Sequence, residues 1–430
     1  MTRFYFPLLL QAFSQSLTYP LVAGIVTHGV FGVNGLTAFS QGLMIMFMVG
    51  ALGAGLVTTG LVFARTWYGH VSFRRLNALM AATLLVLQCL LALPPFSGWL
   101  FRGFFALSPE LADVSASVLL FSALTNLGFF LRNVPMVVLF NNFESGKANN
   151  ATLIRIAVTV LCSVFFPRLG WTGPAWGVVA LTVGVWVELG VTWAYARPYV
   201  RELRETEVLA PAALNVNFAE LVREQFRFTL PLSLGGFLLA TSPLIVAAFI
   251  VRAANAADML TVHYVTIGVA NPVAYAALRL QTVSVKFPPE HPGDRRLLWY
   301  ALGAGAVLGI VPFLFAMPGL GNWYFSTYQN VPDRLIPTAR LAIGIYSAVA
   351  IIHAVRARIE GIAAARKLPG AVMAGEITYT AALFLTLAVL FPLGLPGWVM
   401  AISAIFVAPA CVAAAVYAAL WYNERQYGRN

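Results

Sequence analysis

Charge is what this chain has least of. Across 430 residues, Lys and Arg number 27 and Asp and Glu 16, while 60% of residues are hydrophobic. A soluble protein of this length needs far more charge to stay in solution, so that class is excluded. Cysteine is also scarce. Cys89, Cys162 and Cys411 all fall inside apolar runs, which reads as packing and not as a disulfide or metal set. The sequence has no phosphate loop, no cluster with metal-ligand spacing and no nucleophile constellation. It therefore makes no case for an enzyme, a metal site, a cofactor or an ATP-driven pump. Net charge is +11, but no long basic run exists to present it, which argues against nucleic acid as a partner.

What is present is a series of apolar runs, each long enough to cross the ~30 Å hydrocarbon core of a bilayer. Twelve spans are expected, at 4–28, 36–63, 74–94, 111–138, 151–167, 174–195, 226–251, 257–284, 297–318, 335–357, 369–391 and 397–421. They must be helices, because backbone polar groups in lipid have to pair internally, and the short alternating segments of a β-barrel are missing. Phe4 opens a long span with no small-residue cleavage site, so the first helix is expected to be both signal and anchor. Lys and Arg collect in alternate loops: Arg65, Arg74 and Arg75; Lys147; Arg197, Arg201, Arg204 and Arg223; Lys286, Arg295 and Arg296; Arg358, Arg366 and Lys367. That bias predicts a cell-membrane protein with both termini cytoplasmic.

The longest polar segment runs from Arg197 to Arg227. It divides the chain into an expected N-terminal six-helix bundle (1–196), a cytoplasmic linker (197–225) and a C-terminal six-helix bundle (226–430). The halves repeat. Pro7-Leu8 and Pro20-Leu21 match Pro231-Leu232 and Pro243-Leu244 at intervals of 224 and 223 residues, and Phe166-Pro167 matches Phe391-Pro392 at 225. Both halves start on the same side, so the repeat is parallel, and a substrate site is expected between the halves.

Three arginines, Arg132, Arg279 and Arg340, lie inside apolar spans. Arginine at mid-bilayer costs ~3 kcal/mol or more on insertion scales, so such residues normally face a cavity or a polar pathway. Asn271, Tyr275 and Arg279 are spaced i, i+4, i+8 on one helical face, with Pro272 bending the helix between them. Asn126 and Asn133, seven apart like Thr125 and Arg132, form a polar sector followed by Pro135. Gln11 and Gln15 belong to a polar stripe on the first helix, which has no Asp or Glu. Glu188 and Glu376 are deep carboxylates that could carry a coupling proton or pair with an arginine, and His263 could titrate near neutrality. For each of these residues the competing reading is structural: an interhelical network, a snorkelling side chain or a satisfied core group.

The junction Pro167-Arg168-Leu169-Gly170-Trp171-Thr172-Gly173-Pro174-Ala175 resembles that of the multidrug/oligosaccharidyl-lipid/polysaccharide (MOP) flippase superfamily, which includes the MATE exporters. Within it, Gly60-Leu61-Val62-Phe63, Pro272-Val273 with Tyr275 and Pro288, and Val355-Arg356-Ala357 with Gly361 and Arg366-Lys367 resemble the progressive ankylosis protein family. Pro337 and Arg340 are similar to a Pro-x-Arg of that family, displaced by about one helical turn. The resemblance implies an all-α, MATE-like polytopic fold of two pseudo-symmetric bundles. It also implies alternating access, and export of citrate, other carboxylates, pyrophosphate or nucleotides. In MATE-like proteins the first helix lines the central cavity, and many cation-coupled members use a carboxylate there. Its absence here argues against an exporter of cationic drugs.

The expected function is a monomeric secondary transporter of small anions through a central cationic cavity, with a small anionic substrate and the lipid bilayer as partners. The alternatives are a flippase for anionic lipid-linked headgroups and a non-transporting scaffold or receptor.

Overall fold

The computed structural model describes the backbone of residues 1–105, 107–208, 217–291, 293–329 and 331–427; side chains are described for these except residues 14–20, 33, 207, 208, 257, 328 and 424–427. Sixteen α-helices occur among the described residues. The N-terminal half holds α1 (Thr2–Thr27), α2 (Gly32–Ala51), α3 (Gly55–Phe63), α4 (Trp67–Ala92), α5 (Pro109–Asn141), α6 (Ser145–Arg168) and α7 (Pro174–Val208). The rest are α8 (Phe218–Ile250), α9 (Ala256–Leu278), α10 (Leu280–Lys286), α11 (Arg296–Ala316), α12 (Pro318–Asn322), α13 (Ile336–Tyr346), α14 (Val349–Ala365), α15 (Pro369–Leu390) and α16 (Gly397–Tyr427). Ten helical stretches among the described residues are long and apolar enough to span a bilayer.

Several expected spans are helices with a break inside. The second parts at Leu52–Ala54, where the Leu52 N–H bonds back only three residues, to the Val49 carbonyl. Glycine explains the location: a Cβ on Gly53 would fall 1.9 Å from a ring carbon of Phe130, so only glycine lets this turn lie against α5. The eighth span breaks at Arg279, between α9 and α10, and the tenth at Ser347–Ala348. Other helices run longer than expected. Span 335–357 continues to Ala365, which puts Arg358 and Glu360 inside a helix. Likewise α6 begins at Ser145, so Lys147 is helical and not in a loop.

Two wide π-helical turns, Gly98–Phe104 and Trp323–Tyr328, have no counterpart in the hydropathy pattern. They repeat each other bond for bond. Phe105 N–H donates to the Leu100 carbonyl and Leu107 N–H to Phe101; 224 residues on, Gln329 N–H donates to Tyr324 and Val331 N–H to Phe325.

The described chain forms two compact units that do not divide at the linker. One comprises Met1–Phe13 with Leu234–Asn430, the other Ser14–Ser233. The leading residues of α1 therefore belong with the C-terminal half, where Tyr5 Oη donates to the Ala276 carbonyl (2.8 Å) and the ring meets Tyr300 edge-on. The leading residues of α8 belong with the N-terminal half. There Thr229 and Thr59 share a hydroxyl hydrogen bond (2.7 Å), and Gln225 Nε2 donates to Ser72 Oγ (2.7 Å). Each unit has its own apolar core, around Phe73, Leu76, Phe101 and Leu119 in one and Phe325, Ile343 and Tyr346 in the other.

The glycines of the α6–α7 junction have a definite job. Gly173, at φ +103°, donates its N–H to the Ile25 carbonyl at the end of α1 (2.8 Å). A Cβ on Gly29 would come within 2.4 Å of the Gly173 Cα. Backbone meets backbone here, with no room for a methyl group. Gly29→Ala should therefore cost ~1–3 kcal/mol, the usual range for overpacking. This would be read as a lowered melting temperature of the detergent-purified protein; an unchanged melting temperature would show that the contact is loose.

Candidate functional site

Two buried charge clusters occupy the units, one in each. In the unit Ser14–Ser233, three helices converge on Glu188. From α5, Arg132 Nη1 donates to Glu188 Oε2 (2.7 Å). From α6, Arg155 Nε approaches the same oxygen (3.6 Å), and Thr152 Oγ1 donates to Oε1 (2.5 Å). Glu188, on α7, is 0% exposed, Arg155 2% and Arg132 8%. The Phe129 ring lies beneath both guanidinium groups, with centroid distances of 4.9 and 5.7 Å. The cluster holds two cations and one anion.

In the other unit the hub is Arg356, on α14 and 0% exposed. Its Nε donates to Glu360 Oε1 one turn along the same helix (2.7 Å), and its Nη2 donates to Glu376 of α15. The Tyr379 ring faces the guanidinium at 4.8 Å. Glu376 also packs on α8, where a Cβ on Gly235 would come within 2.8 Å of its Cγ. This cluster holds one cation and two anions, the opposite imbalance.

The repeat interval relates the two clusters. Arg356 lies 224 residues after Arg132, the interval that separates Pro7-Leu8 from Pro231-Leu232. At that same interval Thr152 corresponds to Glu376, Arg155 to Tyr379 and Glu188 to Val412. One position keeps its arginine, and the residues around it have exchanged charge.

The expected site residues are dispersed. Arg132 and Glu188 are brought together, as one ion pair. Glu376 is paired too, with an arginine expected only at the inner end of a span. Asn126 is committed to structure: its Nδ2 donates to the Met46 carbonyl (3.1 Å) and to Gln88 Oε1 (2.8 Å). Asn133, Gln11 and His263 are buried. Asn271 and Tyr275 lie exposed on one face of α9, leading to a half-buried Arg279 at the α9–α10 break. Arg340 ties α13 to its neighbours through the Ala316 carbonyl (3.1 Å) and Asn322 Oδ1 (3.3 Å). The Gln15 side chain lies outside the described residues. Sequence reasoning missed Arg155, Arg356 and Glu360. Arg356 could have been found by adding the repeat interval to Arg132. Among the described residues, no three His, Cys, Asp or Glu side chains gather to hold a metal.

No family model matches the chain. No curated protein matches it either. Solved structures do, over nearly the whole length. The eukaryotic MATE transporter AtDTX14 superposes with a TM-score of 0.72 at 13% identity, covering 97% of this chain and 94% of that one. The fold is that of the MATE transporters. The Vibrio cholerae MATE transporter VcmN in its bent form matches with a TM-score of 0.70 at 13% identity, over 98% and 96% of the two chains. A MOP superfamily transporter from Pyrococcus furiosus, for which reverse polarity of the binding pocket suggests a different function, matches at 0.69 and 17%, over 97% and 95%. The likeness shows a MATE-like fold, consistent with the ten stretches long and apolar enough to cross a membrane, and leaves the substrate open.

Burial makes both clusters vulnerable to the loss of one partner. A paired buried charge adds little net stability, but removing its partner strands the survivor at a cost of ~3–5 kcal/mol. Arg356→Met strands Glu360 and Glu376 together. It is expected to reduce the yield of monodisperse protein sharply, and Arg356→Met/Glu360→Gln/Glu376→Gln is expected to restore it, both measured by size-exclusion chromatography and thermal unfolding in detergent. Equal yields from the parent and the single variant would contradict the pairing.

Proposed function

We propose that this protein is a secondary transporter of small anions, of the carboxylate, pyrophosphate or nucleotide class, working by alternating access. The observation that carries the reading is the net positive charge of the Arg132–Arg155–Glu188 cluster, buried where a low dielectric amplifies it. Arginine forks also match carboxylate and phosphate oxygens in a bidentate way. The first helix, Thr2–Thr27, contains no Asp or Glu to neutralise a cationic cargo. The Pyrococcus furiosus transporter, in which reverse polarity of the binding pocket suggests a different function, supports considering a pocket of altered polarity on this fold.

The rest of the reading follows from the sequence. Twelve spans are reached when α1 and α9 cross together with the ten apolar stretches. Both termini lie in the cytoplasm, the protein acts as a monomer, and its relationships within the superfamily run to the progressive ankylosis proteins. Arg279, with Asn271 and Tyr275 on its face, and Arg340 are further anion contacts in this scheme. Gln11, Gln15, Asn126 and Asn133 are polar neighbours of the route, and Glu376, Glu188 and His263 are candidates for coupling. A flippase acting on anionic lipid-linked headgroups would use the same arginines and is the reading to exclude.

The test is uptake by proteoliposomes of labelled citrate, phosphate, pyrophosphate and ATP, with tetraphenylphosphonium as the cationic control. At least one anion should accumulate above empty liposomes, and the cation should not. Arg132→Ala should lower anion uptake by roughly tenfold or more, and Arg132→Lys should give a partial defect, because charge returns without the fork. Uptake of the cation alone, or full anion uptake by Arg132→Ala, would overturn the reading. Transbilayer movement of a labelled anionic lipid without soluble-anion uptake would favour the flippase.

A further inference from the structure

The Arg132–Arg155–Glu188 cluster has more cations than its one carboxylate can balance. Both arginines address the same oxygen, Glu188 Oε2, while Oε1 is occupied by the Thr152 hydroxyl. Either guanidinium alone neutralises the carboxylate. Other carboxylates on these helices are distant along the chain axis. At 1.5 Å per residue, Asp113 lies ~28 Å from Arg132 on α5, Glu144 ~16 Å from Arg155 at the start of α6, and Glu202 ~21 Å from Glu188 on α7. Glu144 is in any case engaged by Lys147 and Tyr199. Among the described side chains of these three helices, no other carboxylate lies close to the cluster.

The two arginines differ in depth: Arg155 is 2% exposed and Arg132 8%. Arg132 Nε is buried and makes no hydrogen bond, so its pair with Glu188 leaves that donor unused. We propose that Arg155 is the standing counter-ion of Glu188, and that it frees Arg132 to bind one anionic group, a carboxylate or phosphate, of a soluble substrate. The proposal rests on the anion-transport reading and adds a division of labour to it. When Arg132 turns from Glu188 to the substrate, Glu188 keeps Arg155 and Thr152, and no charge is left bare. Arg155 is then a positioning residue: it sets the affinity without touching the anion.

The repeat-related hub shows what the arrangement requires. Where Arg155 stands in one half, Tyr379 stands in the other, and Arg356 is held by two glutamates. That arginine has no positive charge to spare. Of the two repeat-related arginines, only Arg132 can release its carboxylate and leave it neutralised.

The test counts charge. Citrate and pyrophosphate are titrated by calorimetry onto the purified protein in phosphatidylcholine nanodiscs. Arg155→Met brings the cluster to neutrality with Arg132 intact, and should weaken binding by about tenfold or more. Arg155→Met/Glu188→Gln returns the cluster to one net positive charge and should restore affinity to near that of the parent. Glu188→Gln alone leaves two cations and should bind tighter than the parent. A purely structural role for Arg155 would not be rescued by a second substitution. Parent-like binding by Arg155→Met, or failure of the double variant to recover, overturns the division of labour. If Arg155→Met does not fold, Glu188→Gln decides: tighter binding supports the proposal, and unchanged or weaker binding overturns it. Absence of binding by the parent for both probes overturns the anion reading itself. Nanodiscs of phosphatidylglycerol separate the two sources of phosphate chemistry. A soluble substrate keeps its affinity there, whereas loss of citrate and pyrophosphate binding would assign the site to a lipid headgroup and overturn the soluble-substrate proposal.

Discussion

A guanidinium cannot be left alone in a hydrocarbon medium, and much of the buried polar architecture of this protein follows from that. Hydration lost on burial has to be replaced by a carboxylate and further hydrogen bonds, or the chain does not insert. Arg132 and Arg356 meet the requirement by joining helices. Around Glu188, α5, α6 and α7 are held to one carboxylate, and around Arg356, α14 is held to α15. Aromatic faces beneath the guanidinium groups, Phe129 in one unit and Tyr379 in the other, add cation–π attraction without adding charge. Such networks are poor sources of net stability. Their value lies in fixing which helices meet and in storing charge where solvent cannot screen it.

The repeat shows how such a site can diverge. The same 224-residue interval relates Pro7 to Pro231, the wide turns after α4 and after α12, and the two arginines. What changes is the neighbourhood. A threonine on α6 corresponds to a glutamate on α15, an arginine to a tyrosine, and a glutamate on α7 to a valine on α16. Those three exchanges take the formal charge of the cluster from +1 to 0, and Glu360 in place of Met136 takes it to −1, while the arginine common to both is kept. On the proposed anion-transport reading, one half carries an excess of cation and the other an excess of carboxylate. The backbone hydrogen bonds of the wide turns, matched pair by pair, place the divergence in the side chains.

Much of the fold was legible in the sequence because the bilayer imposes few choices. Long apolar runs have to be helices, and ten of them are long and apolar enough to span a bilayer among the described residues. The breaks within spans were less visible, since at Gly53 the cause is the approach of Phe130 from another helix, which no local pattern reports. The membership of the compact units was hidden for the same reason. Nothing in Phe4 or Tyr5 signals that the first residues of α1 pack with α9 and α11, as the Tyr5 bond to the Ala276 carbonyl does. The site was half legible. Burial cost singles out Arg132 with Arg279 and Arg340, and Glu188 and Glu376 read as deep carboxylates, without saying which arginine each would meet. Arg155 and Glu360 sit in helical stretches that begin earlier or end later than hydropathy suggests, so they read as ordinary boundary charges. Asn126 is a conspicuous intramembrane amide, and no local pattern reports its bonds to Gln88 and the Met46 carbonyl.

The central claim is that Arg132 exchanges its carboxylate for a substrate anion while Arg155 stays in place. Cryo-electron microscopy of the protein in nanodiscs, with and without citrate, tests it most directly. The account predicts citrate density against the Arg132 guanidinium, with Arg132 withdrawn from Glu188 and Arg155 still beside that carboxylate. Citrate bound elsewhere, with the Arg132–Glu188 pair intact at about its present 2.7 Å, would contradict it.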